Sequence, residues 1–147
     1  MAKAVNKKST KKVAKKKGKK HVNSTKVEED GIKFDSKSEL FCYKLLKTNN
    51  LHNKLLREPT TFTVVEGPRY KGEKLRDIVV TPDFIDEDKK IILEIKGRAL
   101  PDFKMRWKLL KVYLYNNNLD YDIYLIKSTQ TEITKVVNEI KTKYYDK

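Results

Sequence analysis

A chain of 147 residues with a formal net charge of +14 has the length of one ordinary domain. Its charge predicts a polyanionic partner, with nucleic acid as the first choice and an anionic membrane surface as the second. The only cysteine, Cys42, excludes an internal disulfide and a cysteine zinc cage, and is interpreted as a small buried apolar residue. No apolar run approaches the roughly 20 residues of a membrane span, and no apolar segment typical of a secretory signal follows the first lysines. We therefore expect an intracellular protein that does not bind a membrane.

The positive charge is concentrated at the N-terminus. Residues 1–26 contain eleven lysines and no acidic residue, so the rest of the chain carries a net charge of only +3. Such a lysine-rich segment has too little apolar surface to offset the entropy of ordering. The composition predicts a disordered basic arm over residues 1–27 and a folded domain over residues 28–147.

Apolar periodicity and capping residues predict the secondary structure of the domain. Ser36 and Glu39 have the spacing of a capping box, as do Thr129 and Glu132, and Pro101 suits the first turn of a helix. In chain order, the predicted elements are a helix over 37–48, an extended stretch over 60–66, a turn over 67–72, a strand over 74–85, a polar turn over 86–90, a strand over 91–96, a helix over 102–116, a strand over 121–127 and a helix over 130–145.

The order of these elements, α-β-β-β-α-β-α, predicts an α/β fold. Three consecutive strands predict a meander, and the helix over 102–116 has the length to cross over to a parallel fourth strand. The expected architecture is a mixed central sheet flanked by helices, with an αβββαβ core.

The segment IILEIKG, residues 91–97, places charge on an otherwise apolar strand. Side chains alternate along a strand, so Glu94 and Lys96 share one face with Ile92. A strand this apolar belongs in the centre of a sheet, where an unpaired carboxylate or ammonium costs several kcal/mol. A bound metal and a phosphodiester would provide the partners that these two groups lack.

Asp83 lies eleven residues before Glu94, in the sequence TPDF. Two antiparallel strands joined by a short turn would bring these carboxylates side by side, as a hard-oxygen site suited to Mg²⁺ or Mn²⁺. Pro82 cannot donate to a strand ladder, so the strand is expected to be irregular or at an edge there.

Pro82–Asp83, ten intervening residues and then Glu94–Ile95–Lys96 resemble the signature of the PD-(D/E)XK nuclease superfamily. The upstream sequence FDSKSE, which ends at Glu39, is similar to the additional acidic motif of that superfamily. The predicted order of elements is similar to its conserved core. Within the superfamily, the pattern most resembles small phage endonucleases, including the endonuclease I-type Holliday-junction resolvases. The resemblance covers about residues 30–127 and not the lysine-rich arm.

This resemblance implies a restriction-endonuclease-like fold and a Mg²⁺-dependent endonuclease that hydrolyses phosphodiester bonds in DNA, with Mn²⁺ as a substitute. Asp83 and Glu94 would hold the metal together with the main-chain carbonyl of Ile95, and Glu39 would complete the site directly or through a water molecule. Lys96 would orient or activate the attacking water. The resemblance further implies branched DNA as a substrate, a homodimer and, for a phage-encoded protein, the host cytoplasm.

Each of these residues also has a purely structural interpretation. Glu39 is explained equally by a capping box with Ser36, and Asp83 alone by a turn at the end of a strand. Glu94 and Lys96 are also compatible with a ladder of salt bridges across the sheet. The nuclease hypothesis fails completely only if all of these structural interpretations hold together.

Further basic residues are candidates for binding nucleic acid. Arg98 follows the strand over 91–96 directly and is predicted to grip a phosphate. Lys104, Lys108 and Lys111 have i, i+4, i+7 spacing, which fits either a phosphate-contacting edge or an ordinary solvated helix face. Two other function classes remain open: a non-catalytic DNA-binding or DNA-compacting protein on a nuclease scaffold, and an RNA- or ribosome-associated basic protein.

Overall fold

The computed structural model describes residues 25–147, which contain ten strands and three α-helices. A π-helical turn, Lys141–Tyr145, follows the last helix. The elements are β1 (Val27–Glu29), β2 (Ile32–Phe34), α1 (Lys37–Thr48), β3 (Leu56–Arg57), β4 (Phe62–Val65), β5 (Arg69–Tyr70), β6 (Glu73–Lys74), β7 (Ile78–Val80), β8 (Phe84–Asp86), β9 (Ile91–Lys96), α2 (Pro101–Asn116), β10 (Asp122–Lys127) and α3 (Gln130–Ile140).

The central sheet has four strands in the order β10-β9-β8-β3. Strand β9 pairs in parallel with β10 along its whole length and antiparallel with β8, which pairs antiparallel with β3. The parallel pair is joined by α2, as a crossover connection requires. The predicted α/β fold with a mixed central sheet flanked by helices is confirmed.

Helices cover both faces of this sheet because β9 buries side chains on both sides. Ile91, Leu93 and Ile95 pack into the core beneath α1 and α3, whereas Ile92 packs into the core beneath α2. Trp107 belongs to that second core, is 6 % exposed and stacks on Phe103. The alternation predicted for β9 is therefore confirmed, and Trp107 is a core residue.

The helix boundaries follow from their capping residues. Ser36 accepts a hydrogen bond from the Glu39 N–H at the start of α1 (3.2 Å), and Thr129 accepts one from the Glu132 N–H at the start of α3 (3.3 Å). The predicted bounds of α1 are confirmed, and α2 begins one residue early, at Pro101. The last helix was predicted to reach residue 145, but its α-helical part ends at Ile140. Cys42 is fully buried in α1, as predicted.

The prediction of one strand over 74–85 is wrong, because this segment contributes to three separate strand pairs. Its start belongs to β6, which pairs with β5; β7 pairs with β4; and β8 joins the central sheet. The break between β7 and β8 falls at Pro82, which has no N–H to donate to a ladder. The predicted three-stranded meander is therefore divided between a separate β4–β7 pair and the central sheet.

Several short elements were not predicted. Hairpin β1–β2 and strand β3 are too short and too polar to show a periodic pattern, and the predicted turn over 67–72 contains strand β5. Strand β1 begins at Val27, the last residue of the predicted arm. Residues 1–24 of the predicted disordered arm lie outside the described residues. Within residues 25–147, no helix has the length and apolar character needed to cross a bilayer.

Candidate active site

The tight turn between β8 and β9 aligns Asp83 with Glu94. Asp86 closes this turn by accepting hydrogen bonds from the N–H groups of Asp88 and Lys89, each 2.9 Å long. The resulting register pairs Phe84 with Leu93, so one further step along the strands sets Asp83 opposite Glu94. The two carboxylates lie side by side, as the sequence predicted.

Hydrogen bonds to the main chain hold both carboxylates in place. Asp83 Oδ2 accepts from the Ile95 N–H at 2.8 Å, and Glu94 Oε2 accepts from the Asp83 N–H at 3.2 Å. Asp83 is thus more than a residue at a strand end, because its side chain reaches across to β9. Each carboxylate keeps a second oxygen that accepts no main-chain hydrogen bond within the described residues.

Burial makes this pair of carboxylates costly. Asp83 is 7 % exposed and Glu94 is 5 % exposed. Burial, followed by the charges of Glu94 and Glu39, raises the pKa of Asp83 to about 8. The pKa of Glu94 is also raised, chiefly by burial, although Lys96 opposes the shift. Removing carboxylates from water in this way is unfavourable unless a cation or a reaction makes use of their charge.

Lys96 provides the nearest positive charge to Glu94. Its Nζ lies 3.0 Å from Glu94 Oε1 and 4.6 Å from the centre of the Phe103 ring. The parallel neighbour of Lys96 on β10 is Lys127, and that of Glu94 is Leu125. The only acid on β10, Asp122, lies opposite Ile91 and not opposite Lys96, so the ladder of salt bridges across the sheet does not form. Within residues 25–147, Glu94 and Lys96 form an ion pair only with each other.

Glu39 is the third acidic residue of the site and also caps α1. Its carboxylate accepts from the Asp35 N–H at 3.1 Å and from the Ser36 hydroxyl at 3.2 Å. Its Oε2 also lies 2.8 Å from Arg57 Nη2. The structure thus combines the helix cap with an ion pair, which shows that capping and a place in the site are compatible.

Arg57 is a member of this site that sequence reasoning missed. Its side chain is only 7 % exposed and lies over the Phe34 ring, with Nη1 3.8 Å from Asp83 Oδ1. Its Nη1 also lies 2.5 Å from Glu58 Oε1, whereas the buried Nε has no hydrogen-bond acceptor within the described residues. The guanidinium connects the Glu39 carboxylate to the Asp83 carboxylate. The only sequence signal was a charged residue beside the apolar pair Leu55–Leu56.

A pocket of about 120 Å³ opens on the side of the sheet that carries Glu94 and Lys96. Strand β7 and the following Thr81 form one wall, and α2 contributes Phe103 and Arg106 to the other. Arg106 is half exposed and pairs with Asp102 at 3.4 Å. A carboxylate, an ammonium and a guanidinium therefore line one small cavity, a combination that suits a phosphodiester and its counter-ion.

The other predicted nucleic-acid contacts do not line this pocket. Lys104, Lys108 and Lys111 are exposed, and at about 100° per residue they lie on the flank of α2 opposite Arg106. Arg98 is exposed in the loop between β9 and α2, next to the strand that carries Lys96. The lysine stripe keeps both of its interpretations, a phosphate-contacting edge or a solvated face.

The carboxylates of Asp83 and Glu94 form the donor set that this site offers to a metal ion. Within residues 25–147, no group of three Asp, Glu, His or Cys side chains is placed to hold a metal ion, so Glu39, Asp83 and Glu94 do not form the expected three-carboxylate ligand set. Mg²⁺ is usually held by one or two carboxylates, with water and substrate phosphate completing an octahedral shell. Asp83 and Glu94, each with an oxygen free of main-chain hydrogen bonds, fit that requirement.

A family model described as "Protein of unknown function (DUF1064)" matches residues 14–132. This chain belongs to the DUF1064 family. The matched range begins within the lysine-rich segment, ends within α3 and contains every residue of the site described above. No curated protein and no solved structure matched the chain. The description of DUF1064 states no activity, so its function has to be inferred from the chemistry of the site.

Replacing Glu39 by Gln is expected to lower the free energy of unfolding and any metal-dependent activity of the site formed by Asp83 and Glu94. The amide removes the charge that Arg57 faces, and stability should fall by about 1–3 kcal/mol because a buried donor loses a charged acceptor. In a double-mutant cycle with Arg57→Met, measured by urea unfolding, we expect a coupling energy of about 1–3 kcal/mol.

The matched control is Ser36→Ala, which removes the N-cap but leaves Arg57 paired. It should cost about 1 kcal/mol of stability and leave the carboxylates of Asp83 and Glu94 in place. If Glu39→Gln behaves like Ser36→Ala, with a loss of stability and full activity, Glu39 is only a helix cap.

Proposed function

We propose that this protein is a Mg²⁺-dependent endonuclease that hydrolyses phosphodiester bonds in DNA. The observation that carries the proposal is the adjacent, buried pair Asp83 and Glu94, of which Glu94 lines a small pocket with the Lys96 ammonium 3.0 Å away. This arrangement supports the resemblance to the PD-(D/E)XK nucleases, in which the same residue types act together.

Asp83 and Glu94 are the residues that would hold Mg²⁺, with the Ile95 carbonyl as a further ligand. When bound there, the ion supplies a lowered pKa for water and stabilisation of negative charge on the phosphate. The hydrogen bonds from the main chain fix both carboxylates before any ligand arrives, so little reorganisation is needed.

The positive groups would act on the substrate. Lys96, which is partly exposed at the pocket, would orient the attacking water and stabilise charge that develops on the phosphate. Arg106, on the opposite wall, is suited to a bidentate grip on a phosphate. Glu39 would act through Arg57, whose guanidinium holds the Asp83 side chain from the α1 side of the sheet.

A non-catalytic DNA-binding protein is the alternative, and the buried carboxylates argue against it. Acidic groups repel the phosphate backbone, so a protein that only binds DNA gains nothing from Asp83 and Glu94. Their burial also raises their pKa values. A role in catalysis explains why two buried carboxylates lie side by side here, whereas binding alone does not.

The proposal predicts that the purified protein nicks and linearises supercoiled plasmid in Mg²⁺ or Mn²⁺ and does nothing in EDTA. Linear, nicked, flapped and four-way DNA substrates then test the preference for branched DNA that the resemblance implies. Tight DNA binding without cleavage in either metal would support the non-catalytic alternative. Preferential, uncut binding of RNA would support the RNA-associated one.

Two further parts of the proposal rest on the resemblance alone. A homodimer would allow paired cuts in both strands of a branched substrate, and sedimentation of the DNA complex tests for it. An intracellular location, in the host cytoplasm for a phage-encoded protein, agrees with the single buried thiol of Cys42.

A further inference from the structure

Hairpin β5–β6 projects from the domain without contributing to its core. Every residue from Pro68 to Val79 is exposed. The tip is Lys71–Gly72, and both residues have positive φ angles, +47° and +87°, as a two-residue hairpin turn requires. A two-stranded hairpin that buries nothing adds little to stability, so the reason for its presence lies elsewhere.

The hairpin has an excess of positive charge without acidic partners. Residues 69–76 contain Arg69, Lys71, Lys74 and Arg76 against the single acid Glu73, a net charge of +3. None of these cations is in an ion pair within residues 25–147. Arg69 and Lys74 lie opposite each other across the two strands, and their side chains donate to the main-chain carbonyls of Gly72 and Gly67. Two like charges are thus held close together without a counter-charge, which is unfavourable until an anion binds.

The base of the hairpin is rigid. The Gly67 N–H donates to Asp77 Oδ1 at 2.8 Å, and the Leu75 N–H donates to the Pro68 carbonyl at 3.0 Å. A Cβ on Gly67 would lie 2.0 Å from the Leu75 carbonyl oxygen, so only glycine allows the two segments to pass this closely. From this base the tip extends about 15 Å, at about 3.3 Å per residue.

The hairpin is also continuous with the candidate active site. Strand β7 follows it after three residues, and Val79, Val80 and Thr81 form one wall of the pocket that contains Glu94 and Lys96. A ligand held by the hairpin is therefore directed along β7 towards that pocket. The exposed Tyr70, 60 % accessible, adds an aromatic surface beside the cations.

We propose that hairpin β5–β6 is a duplex-DNA-binding element that enters the major groove beside the cleaved strand. The inference rests on the proposed nuclease function and extends it to the class of substrate. A two-stranded β-ribbon fits the major groove of B-form DNA, whereas the deep, narrow major groove of an RNA duplex does not admit one. The cations on the hairpin then contact the phosphates on either side of the groove.

The test is binding of the full-length protein in EDTA, where cleavage does not interfere. Fluorescence anisotropy measures affinity for a labelled 30-base-pair DNA duplex and for the RNA duplex of the same sequence, chosen as about three helical turns. The test variant is Lys71→Glu/Arg76→Glu, because neither side chain makes a hydrogen bond within residues 25–147. The control is Lys54→Glu/Lys135→Glu, which changes the net charge equally at exposed lysines on other elements.

The hairpin variant should bind DNA at least about tenfold more weakly than the wild type, with a slope of log K against log salt that is flatter by about 2. The control should lose much less, and the loss of RNA affinity in the hairpin variant should not exceed that of the control. Equal losses in the two variants, equal losses on DNA and RNA, or no binding of duplex DNA by the wild type would overturn the proposal. A selective loss of DNA binding in the hairpin variant, together with no cleavage by the wild type, would support the proposal for the hairpin and contradict the proposed nuclease function.

Discussion

Glu94→Gln is expected to abolish Mg²⁺-dependent DNA cleavage, lowering the rate on the order of 10³-fold or more. Asp83→Asn and Lys96→Ala should have comparable effects. The first two substitutions each remove a negative charge that would hold Mg²⁺, and the third removes the ammonium 3.0 Å from Glu94. Initial rates of plasmid nicking at saturating Mg²⁺ give the measurement.

The two amide variants, Glu94→Gln and Asp83→Asn, should remain folded, because the amides keep the shape and the acceptor oxygens of the acids. Each amide oxygen still accepts the main-chain hydrogen bond that the carboxylate accepted, from Asp83 N–H or Ile95 N–H. Since burial disfavours the charged forms, the free energy of unfolding should be unchanged or higher by about 1 kcal/mol. Urea unfolding of each variant separates a loss of chemistry from a loss of structure.

Lys127→Ala and Glu87→Gln are the matched controls. Lys127 is the parallel neighbour of Lys96 on β10, and Glu87 lies in the β8–β9 turn; both are exposed, and neither lines the pocket. Both controls should cleave like the wild type. Full cleavage by the Glu94→Gln protein would show that Glu94 is not catalytic, and it would contradict the proposed active site.

Deletion of residues 2–26 should weaken DNA binding in all sequence contexts and flatten its salt dependence by several units. The segment carries eleven lysines and no acid, and each phosphate that is neutralised contributes about 0.9 to the slope of log K against log salt. At saturating DNA and low salt, the cleavage rate should stay close to that of the full-length protein, because no residue of the pocket is removed. Anisotropy titrations between 50 and 200 mM salt, roughly the range in which such contacts are lost, give the slope.

Two variants distinguish charge from length in this experiment. Replacing the eleven lysines by Gln keeps the length and should reproduce the deletion, whereas deleting residues 2–13 removes five lysines and should produce an intermediate slope. The rival interpretation is a targeting signal, since lysine runs also serve as nuclear addresses. That rival predicts a salt slope in purified protein that does not respond to the deletion.

The sequence determined the features of this protein that depend on neighbours along the chain. Capping residues and helical periodicity predicted α1 with its bounds, and the alternation in IILEIK predicted β9 with Glu94 and Lys96 on one face. A short turn between two strands allows few strand registers, so the sequence also predicted that Asp83 and Glu94 lie side by side. Each of these predictions draws on interactions within about a dozen residues, which a local pattern records.

Only the tertiary structure decided what comes from distant parts of the chain. Arg57 contacts Glu39 because the pairing of β3 with β8 brings Arg57 beside α1. Arg106 lines the pocket because α2 crosses over the sheet beside β7. Pro82 predicted an irregular strand, but the different partners of β7 and β8 on either side of it depend on distant strands, and hairpin β5–β6 depends on a close approach at Gly67. Strands of two or three residues carry almost no periodic signal, and long-range pairing is set by the summed packing of the whole domain, so neither leaves a mark in the local sequence.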